Sequence, residues 1–240
     1  MQKIRSELAP TGALRAGINL ANFLLVSGKS AAGDPEGVAP DMAREIASRL
    51  GVPVKFVAYA SPGELADAAE ANVWDIGLIG AEPQRAEKIA FTPAYVEIEA
   101  SYLVPAGSKL ASIAEVDRPG IRIAVFGRSA YGLWLERNVK QATLVRGDSI
   151  DASYKLFIDE KCDALAGLKP RLLKDVQALP GARILAGRFS AVQQAIGTAR
   201  KNAAAIPFLE NFVAEAKASG FVARLIARHK VQGLSVAAAA

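Results

Sequence analysis

The sequence predicts an α/β protein of two similar lobes, each with a central, mostly parallel sheet flanked by helices, the two joined by a pair of crossing strands. Three observations carry this prediction. Short apolar runs alternate with helical patterns almost throughout the chain. The alternation runs once as far as Gly80 and restarts near Ile121. The 240 residues, 51% of them hydrophobic, suffice for two lobes of about 100–150 residues each.

Leu14–Asn19 reads as a first strand, followed by a loop with Gly and Ser through Gly37. From Pro40 to Leu50 the pattern is helical, with proline in the first turn and Gly51 just past the end. Met42, Ile46 and Leu50 recur at helical spacing and face a sheet. Val52–Tyr59 alternates as a second strand. Ser61-Pro62-Gly63-Glu64 is a capping box that opens a helix to about Ala71, and Asp75–Gly80 is a third, buried strand. Strand–helix–strand–helix–strand order implies parallel pairing with right-handed crossovers.

The middle segment, Glu97–Pro105, joins the two series. Within it Glu99–Val104 is extended and suits a crossing strand; Ser108–Val116 then supplies a connecting helix ended by Pro119-Gly120. The second series follows the same grammar. Its strands are Ile121–Phe126, Ala142–Arg146, Asp163–Gly167 and Ile184–Ala186, and its helices Ser129–Asn138, Asp151–Lys161 and Pro170–Leu179. Two helical patterns close the chain, Ala203–Ser219 and Phe221–Lys230, split by Gly220; Pro207 moves the first start a few residues later. With these helices packed on the first lobe, lobe 1 comprises 1–99 plus 194–240 and lobe 2 comprises 103–189. The backbone then crosses near 99–103 and 189–194, which is a hinge by construction. The Ala237–Ala240 tail is expected to fray.

Composition excludes several function classes. The net charge of +5 is spread along the chain with acids interleaved, without the concentrated basic face that nucleic-acid binding needs. It suits an anionic ligand. One cysteine, Cys162, allows no internal disulfide, and one histidine, His229, sits on the last amphipathic helix in a surface or capping position. His-based zinc sites and Cys–His nucleophile pairs have no residues to build them, so no metal and no cofactor are expected. No apolar run reaches the ~18–20 residues that cross a bilayer. Met1-Gln2-Lys3-Ile4-Arg5 lacks the apolar run and cleavage site of an export signal. Either a signal has been removed or the protein stays in the cytoplasm.

In open α/β sheets, ligands sit beyond the carboxyl ends of strands. Four loops therefore hold the candidate site residues. After the first strand, Asn19 and Asn22 offer donors and acceptors and Phe23 an apolar wall; alternatively both asparagines shape a turn. After Asp75–Gly80 comes Ala81-Glu82-Pro83-Gln84-Arg85. A helix start attracts anions, and Arg85 adds a bidentate grip on a carboxylate, unless it pairs with Glu82 at the surface. After Ile121–Phe126, Gly127-Arg128-Ser129 makes a small anion cradle or simply an N-cap. After Asp163–Gly167, Leu168 and Lys169 either face the ligand or solvate a helix start.

The stretch Asp75-Ile-Gly-Leu-Ile-Gly-Ala-Glu-Pro-Gln-Arg85-Ala-Glu-Lys-Ile-Ala-Phe91-Thr-Pro-Ala-Tyr95 resembles the signature of the polar-amino-acid-binding proteins of ABC importers, the family 3 periplasmic solute-binding proteins. Leu14–Asn19, the helix Gly37–Leu50 and Arg122–Ser129 match in order and spacing, so the likeness covers about residues 10–230. The resemblance implies a bilobal, Venus-flytrap fold with the ligand in the cleft, and a monomer that hands its ligand to a membrane ABC permease from the periplasm. It also implies that Arg85 holds the ligand carboxylate, that the helix start at Ser129 helps, and that Asn19, Asn22 and Phe23 line the first-lobe side.

Three departures qualify it. The loop from Asp75 to Arg85 is shorter than is usual and carries Gly80-Ala81-Glu82 in place of the Ser/Thr pair. Arg128 intervenes between Gly127 and Ser129. The Asp that pairs with a ligand's ammonium is replaced by Leu168, followed by Lys169. A buried ammonium without a carboxylate is costly, so either Glu82 substitutes or the ligand is an amino-free acid such as an oxo-, hydroxy- or aromatic acid. Two other classes share the scaffold: a dehydratase-like enzyme with Glu82 as general acid, and a cytoplasmic ligand sensor.

Overall fold

The computed structural model describes residues 2–238. In chain order the elements begin α1 (Gln2–Leu8), β1 (Leu14–Asn19), the short hairpin β2 (Gly28–Lys29) and β3 (Pro35–Glu36), α2 (Val38–Leu50), β4 (Val54–Tyr59) and α3 (Pro62–Asp67). Next come β5 (Ile76–Gly80), α4 (Pro83–Ala86), β6 (Ile89–Phe91) and β7 (Val96–Val104). The second series is β8 (Arg122–Phe126), α5 (Ala130–Asn138), β9 (Thr143–Gly147), α6 (Ile150–Asp159), β10 (Ala164–Leu168), α7 (Lys169–Asp175) and β11 (Arg183–Ile184). The chain returns through β12 (Ser190–Ala199), α8 (Ile206–Ala218), α9 (Phe221–Arg228) and β13 (Ser235–Val236). It divides into two compact units, one running to Glu97 and resuming at Gln193, the other Ile98–Val192.

In the first unit the strand order is β4-β1-β5-β12, with β6 added beside β12. β1 runs parallel to β4 and β5, and β12 is antiparallel to β5. One face carries the main core: Leu14, Ala16 and Ile18 of β1 against Met42, Ile46 and Leu50 of α2, with Leu209 and Phe212 of α8 and Val222 and Leu225 of α9. The helical face expected of Met42, Ile46 and Leu50 is thus fully buried. On the other face Leu65, Trp74 and Ile79 form a smaller cluster, and the indole N–H of Trp74 donates to the Leu65 carbonyl at 3.1 Å.

The second unit repeats the plan. β8 pairs parallel with β9 and β10, and β10 is antiparallel to β7, giving the order β9-β8-β10-β7 with β11 also on β7. Phe157 of α6 and Leu172 of α7 pack over Ala124 and Leu165 in its core.

The same device aligns the strands in both units. In the first, the Asp75 carboxylate accepts from Arg15 N–H at 2.8 Å, from Arg15 Nε at 3.0 Å and from Arg15 Nη2 at 2.7 Å. Asp75 N–H donates back to the Arg15 carbonyl, and its own carbonyl accepts from Thr198 Oγ1 on β12. This hydrogen bonding raises the Arg15 pKa further above its usual value. In the second unit, Asp163 accepts from Arg122 N–H at 2.8 Å and donates its N–H to the Arg122 carbonyl. There the Arg122 guanidinium turns to Glu160 instead.

Several expectations need correction. The helix expected over Ser108–Val116 is a single 3₁₀ turn, Ile113–Glu115, capped reciprocally by Ser112 and Glu115. Arg183 donates to the carbonyls of Ser108 and Leu110, which a helix would have needed for its own ladder. The crossing segment is longer than Glu99–Val104, beginning at Val96. The second crossing, expected near 189–194, continues into the first unit as strand β12 to Ala199, where no element was expected. Of the tail expected to fray, Ala237 is buried and donates its N–H to the Tyr95 carbonyl; Ala239 and Ala240 lie outside the described residues.

Asp75 is 1% exposed and Arg15 16%, so replacing the acid strands a largely buried guanidinium. Asp75→Ala is expected to cost about 3–5 kcal/mol of folding stability in a denaturant titration. Asp163→Ala, whose arginine is 40% exposed, is expected to cost clearly less.

Candidate functional site

Strand order places the four candidate loops. In the first unit β1 lies between β4 and β5, so the connection after β1 leaves to one side and β5 arrives from the other. The carboxyl ends of β1 and β5 therefore flank a topological switch point, where α/β sheets open a crevice. In the second unit β8 and β10 stand in the same relation. Each unit thus brings two of its own candidate loops to one sheet end: Asn19–Phe23 with Gly80–Arg85, and Gly127–Ser129 with Leu168–Lys169.

The asparagines of the first loop shape it. Asn19 Oδ1 accepts from Ala21 N–H at 3.1 Å; Asn22 Oδ1 accepts from Leu24 N–H at 3.2 Å and Leu25 N–H at 3.3 Å. Both are buried, whereas Phe23 is 39% exposed at the strand-end face. The turn-forming role foreseen for the asparagines is therefore present, and it is what holds Phe23 out.

The loop after β5 is tightly bound. Ala81 N–H donates to the Gln193 carbonyl of β12, and the Glu82 carbonyl accepts from both Arg85 and Ala86 N–H. Pro83 starts α4, whose single turn folds Arg85 back so that Nη1 donates to the Gly80 carbonyl at 2.7 Å. Glu82 and Arg85 are both buried, at 8% and 5% exposure. The alternative of a surface Arg85 is excluded, since the side chain is buried and bonded to the Gly80 carbonyl.

In the second unit Ser129 caps α5. Its Oγ accepts from Gly132 N–H at 2.9 Å and donates to the Phe126 carbonyl at 2.6 Å. Gly132 must be glycine, since a Cβ there would sit 2.4 Å from the Phe126 oxygen. Arg128 is exposed. Leu168 is the last residue of β10, one later than expected, and buried. Lys169 opens α7 and pairs with Glu99 at 2.9 Å, Glu99 also meeting Arg188 at 3.5 Å. Lys169 thus has a local acidic partner and Leu168 offers an apolar end.

One residue escaped the sequence reasoning. Gln194 of β12 lies directly opposite Gly80, is 4% exposed, and its Oε1 has no hydrogen-bond partner. The signal was a polar pair, Gln193-Gln194, inside an apolar segment; without the strand pairing it had no address.

His229 lies at the end of α9, where Nε2 meets Asp41 Oδ2 at 2.8 Å, a tie to the first turn of α2. Cys162 is a free, buried thiol. Among the described residues, no group of three or more His, Cys, Asp or Glu is arranged to hold a metal ion. Among them too, no helix is long and apolar enough to cross a membrane.

Solved structures share this architecture. The P235GK mutant of ArgBP from T. maritima matches with a TM-score of 0.75 at 20% identity, over 96% of this chain and 100% of that one. An amino acid ABC transporter substrate-binding protein from Streptococcus pneumoniae, bound to L-arginine, matches with a TM-score of 0.73 at 16% identity, over 98% and 99%. The ancestral amino acid-binding protein AncCDT-1, a precursor of cyclohexadienyl dehydratase, matches with a TM-score of 0.73 at 18% identity, over 93% and 97%. The fold is that of the type II periplasmic binding proteins. A comparison with curated protein sequences found no match. The model of the bacterial extracellular solute-binding proteins, family 3, matches residues 21–232, and the chain belongs to that family.

Ser129→Ala removes both bonds of the cap. It is expected to lower stability by about 1 kcal/mol in a denaturant titration, without loss of overall helix content by circular dichroism.

Proposed function

We propose that this protein is the solute-binding component of an ABC-type uptake system and that it takes a small carboxylate-bearing metabolite. The observation that carries the proposal is the buried guanidinium of Arg85 at the switch point of the first unit, in a chain of the family 3 solute-binding proteins. A guanidinium has five donors in a planar fork that matches a carboxylate. One of them is spent on the Gly80 carbonyl, which orients the fork before any ligand arrives. Within the first unit Asn19 and Asn22 set the neighbouring loop and Phe23 contributes an apolar wall; the second unit, by itself, carries a capped helix start at Ser129 with Arg128 beside it. Lys169, held by Glu99, adds positive charge at the end of β10.

The ligand is either an amino acid whose ammonium meets Glu82, or an organic acid with no amino group. Leu168 supports that pair of options, because an apolar residue ends β10 where the resembling proteins carry an aspartate. The protein works outside the cytoplasm, as a monomer delivering its solute to a membrane permease. Binding proceeds without turnover. The buried Glu82 also suits a dehydratase-like general acid, and that second reading predicts product release from a carboxylated ring substrate.

Arg85→Ala is the direct test. In isothermal titration with a solute that binds the wild type, loss of the buried charged contact is expected to cost about 2–5 kcal/mol, a weakening of roughly thirty-fold or more. Unchanged affinity would remove Arg85 from the site and the proposal with it.

A further inference from the structure

We infer a second small-molecule site, inside the second unit: an apolar hollow that takes a small amphiphilic acid, its ring or short chain within the hollow and its acid group on Lys161. This site stands whether or not Arg85 holds a carboxylate in the first unit.

The ending of α6 builds the first wall. Lys161 has a φ of 51°, in the left-handed region. Its N–H donates to the Ile158 carbonyl at 3.3 Å, and the next N–H, of Cys162, donates to the Phe157 carbonyl at 3.1 Å. Such a paired ending turns the chain sharply into β10 and joins Phe157 to Cys162 by an apolar contact. Phe157, Ile158, Lys161 and Cys162 all line the hollow. Leu179, Pro180 and Ala182, between α7 and β11, make the second wall, and Pro105 and Ala106, just after β7, make the third. These walls are braced without any occupant. Arg183 donates to the carbonyls of Ser108 and Leu110, and the turn at Gly181 lies so close that a Cβ there would sit 2.8 Å from Ala106 Cβ. The hollow measures about 260 Å³. A cavity of ~150 Å³ already admits benzene, so a ring with a short tail has room. It lies at the amino end of β10, whereas Leu168 and Lys169 lie at the carboxyl end, roughly 15 Å along the strand.

The main-chain acceptors of these walls are already used. The Pro105 carbonyl accepts from Ser108 N–H at 3.2 Å and the Leu179 carbonyl from Ala182 N–H at 3.0 Å, while those of Phe157 and Ile158 close the turn of Lys161. Burial pushes the Cys162 thiol up from its usual pKa, so it lines the hollow as a neutral group. An ordered water needs two to four polar partners, which such walls do not supply, so an apolar group gains by entering. Ile158, 41% exposed at this place, gains most from being covered. The charges at the rim decide the rest. Arg122 takes the Glu160 carboxylate, Lys155 takes Asp159, and Asp163 accepts from Arg122 N–H. Lys161 stands among these satisfied acids, and its ammonium has no ion pair or hydrogen bond among the described residues. Its complement is an anionic head on an apolar body.

Isotope-labelled wild type, Lys161→Gln, Ile158→Glu and Arg85→Ala are titrated with phenylbutyrate and with phenylbutanol, its uncharged counterpart, and followed by amide NMR spectra. In the wild type the amides of Ile158, Cys162 and Ala182 are expected to shift saturably, with the acid bound about threefold more tightly than the alcohol. Lys161→Gln removes that difference. Ile158→Glu, which sets a carboxylate on the apolar wall, weakens the acid by about tenfold or more, and Arg85→Ala leaves the shifts at the hollow unchanged. Absence of saturable shifts at the hollow overturns the inference, as does an Ile158→Glu variant that is folded and binds like the wild type. Equal binding of acid and alcohol, or a Lys161→Gln variant that keeps the preference, also overturns it; should Ile158→Glu not fold, this comparison decides alone. Shifts confined to Gly80–Arg85 and lost in Arg85→Ala would put the acid in the first unit, overturning the second site while leaving the proposed function in place. Conversely, shifts at the hollow from a protein whose Arg85→Ala variant binds its solute unchanged would sustain this site and bring down the proposed one.

Discussion

The structure depends on how an aspartate at the mouth of the third strand holds the first. In the first unit Asp75 fastens the start of β5 to the start of β1 through both main chain and guanidinium, and its carbonyl catches β12. With the starts pinned, the register Ala16↔Ile76 and Ile18↔Leu78 follows, and the ends Asn19 and Gly80 come out side by side. A slip of one residue would exchange the two buried faces of β5, which pack on different clusters, and put its end out of step with that of β1. Asp163 performs the same task for β8 and β10, setting Ile123↔Ala164 and Ala124↔Leu165 so that Gly127 and Lys169 emerge at one end. In each unit the two candidate loops therefore emerge side by side as a consequence of a strand register fixed by an aspartate at the opposite end of the sheet.

Stability and function are divided between the two ends of each strand. Helices α2, α8 and α9 close one face of the first unit, and Arg49 of α2 lies over the Phe212 ring of α8 at 4.9 Å. The polar groups at the strand ends are then free to be arranged for a ligand rather than for the fold. Arg85, Glu82 and Gln194 lie buried near the strand ends, outside the apolar clusters described above. Lys169 is satisfied locally, by Glu99. Asn19 and Asn22 stand between the two, spending their oxygens on the loop that presents Phe23.

Much of this was legible in the sequence, for definite reasons. β1, β5, β8 and β10 are short apolar runs bounded by polar residues, and α2 carries its apolar face at helical spacing. Their order alone locates the switch points, and so the four loops. β12 was missed beyond its first residues because Gln193, Gln194, Gly197 and Thr198 interrupt the apolar pattern; its strand character comes from β5 and β6 on the same edge. Where a helix was expected after Ser108, the carbonyls of Ser108 and Leu110 instead accept from a distant side chain, Arg183, and Glu115 takes the N–H groups of Ala111 and Ser112. The burial of Arg85 and the unpaired state of Gln194 are likewise properties of pairing, invisible to any window along the chain. Ser129 is the instructive middle case: its local role as a cap was readable, and the structure shows both halves of its hydroxyl engaged in it.

The central claim is that one small carboxylate occupies this protein with simple stoichiometry. Equilibrium titration of protein stripped of any co-purified solute by unfolding and refolding, against a panel of amino, hydroxy, oxo and aromatic acids, tests it most directly. The account predicts saturable 1:1 binding of at least one acid and a matching rise in thermal stability, about 2.7 kcal/mol at ~100 times the dissociation constant. Absence of saturable binding by every acid, from protein whose melting shows it to be folded, would contradict it.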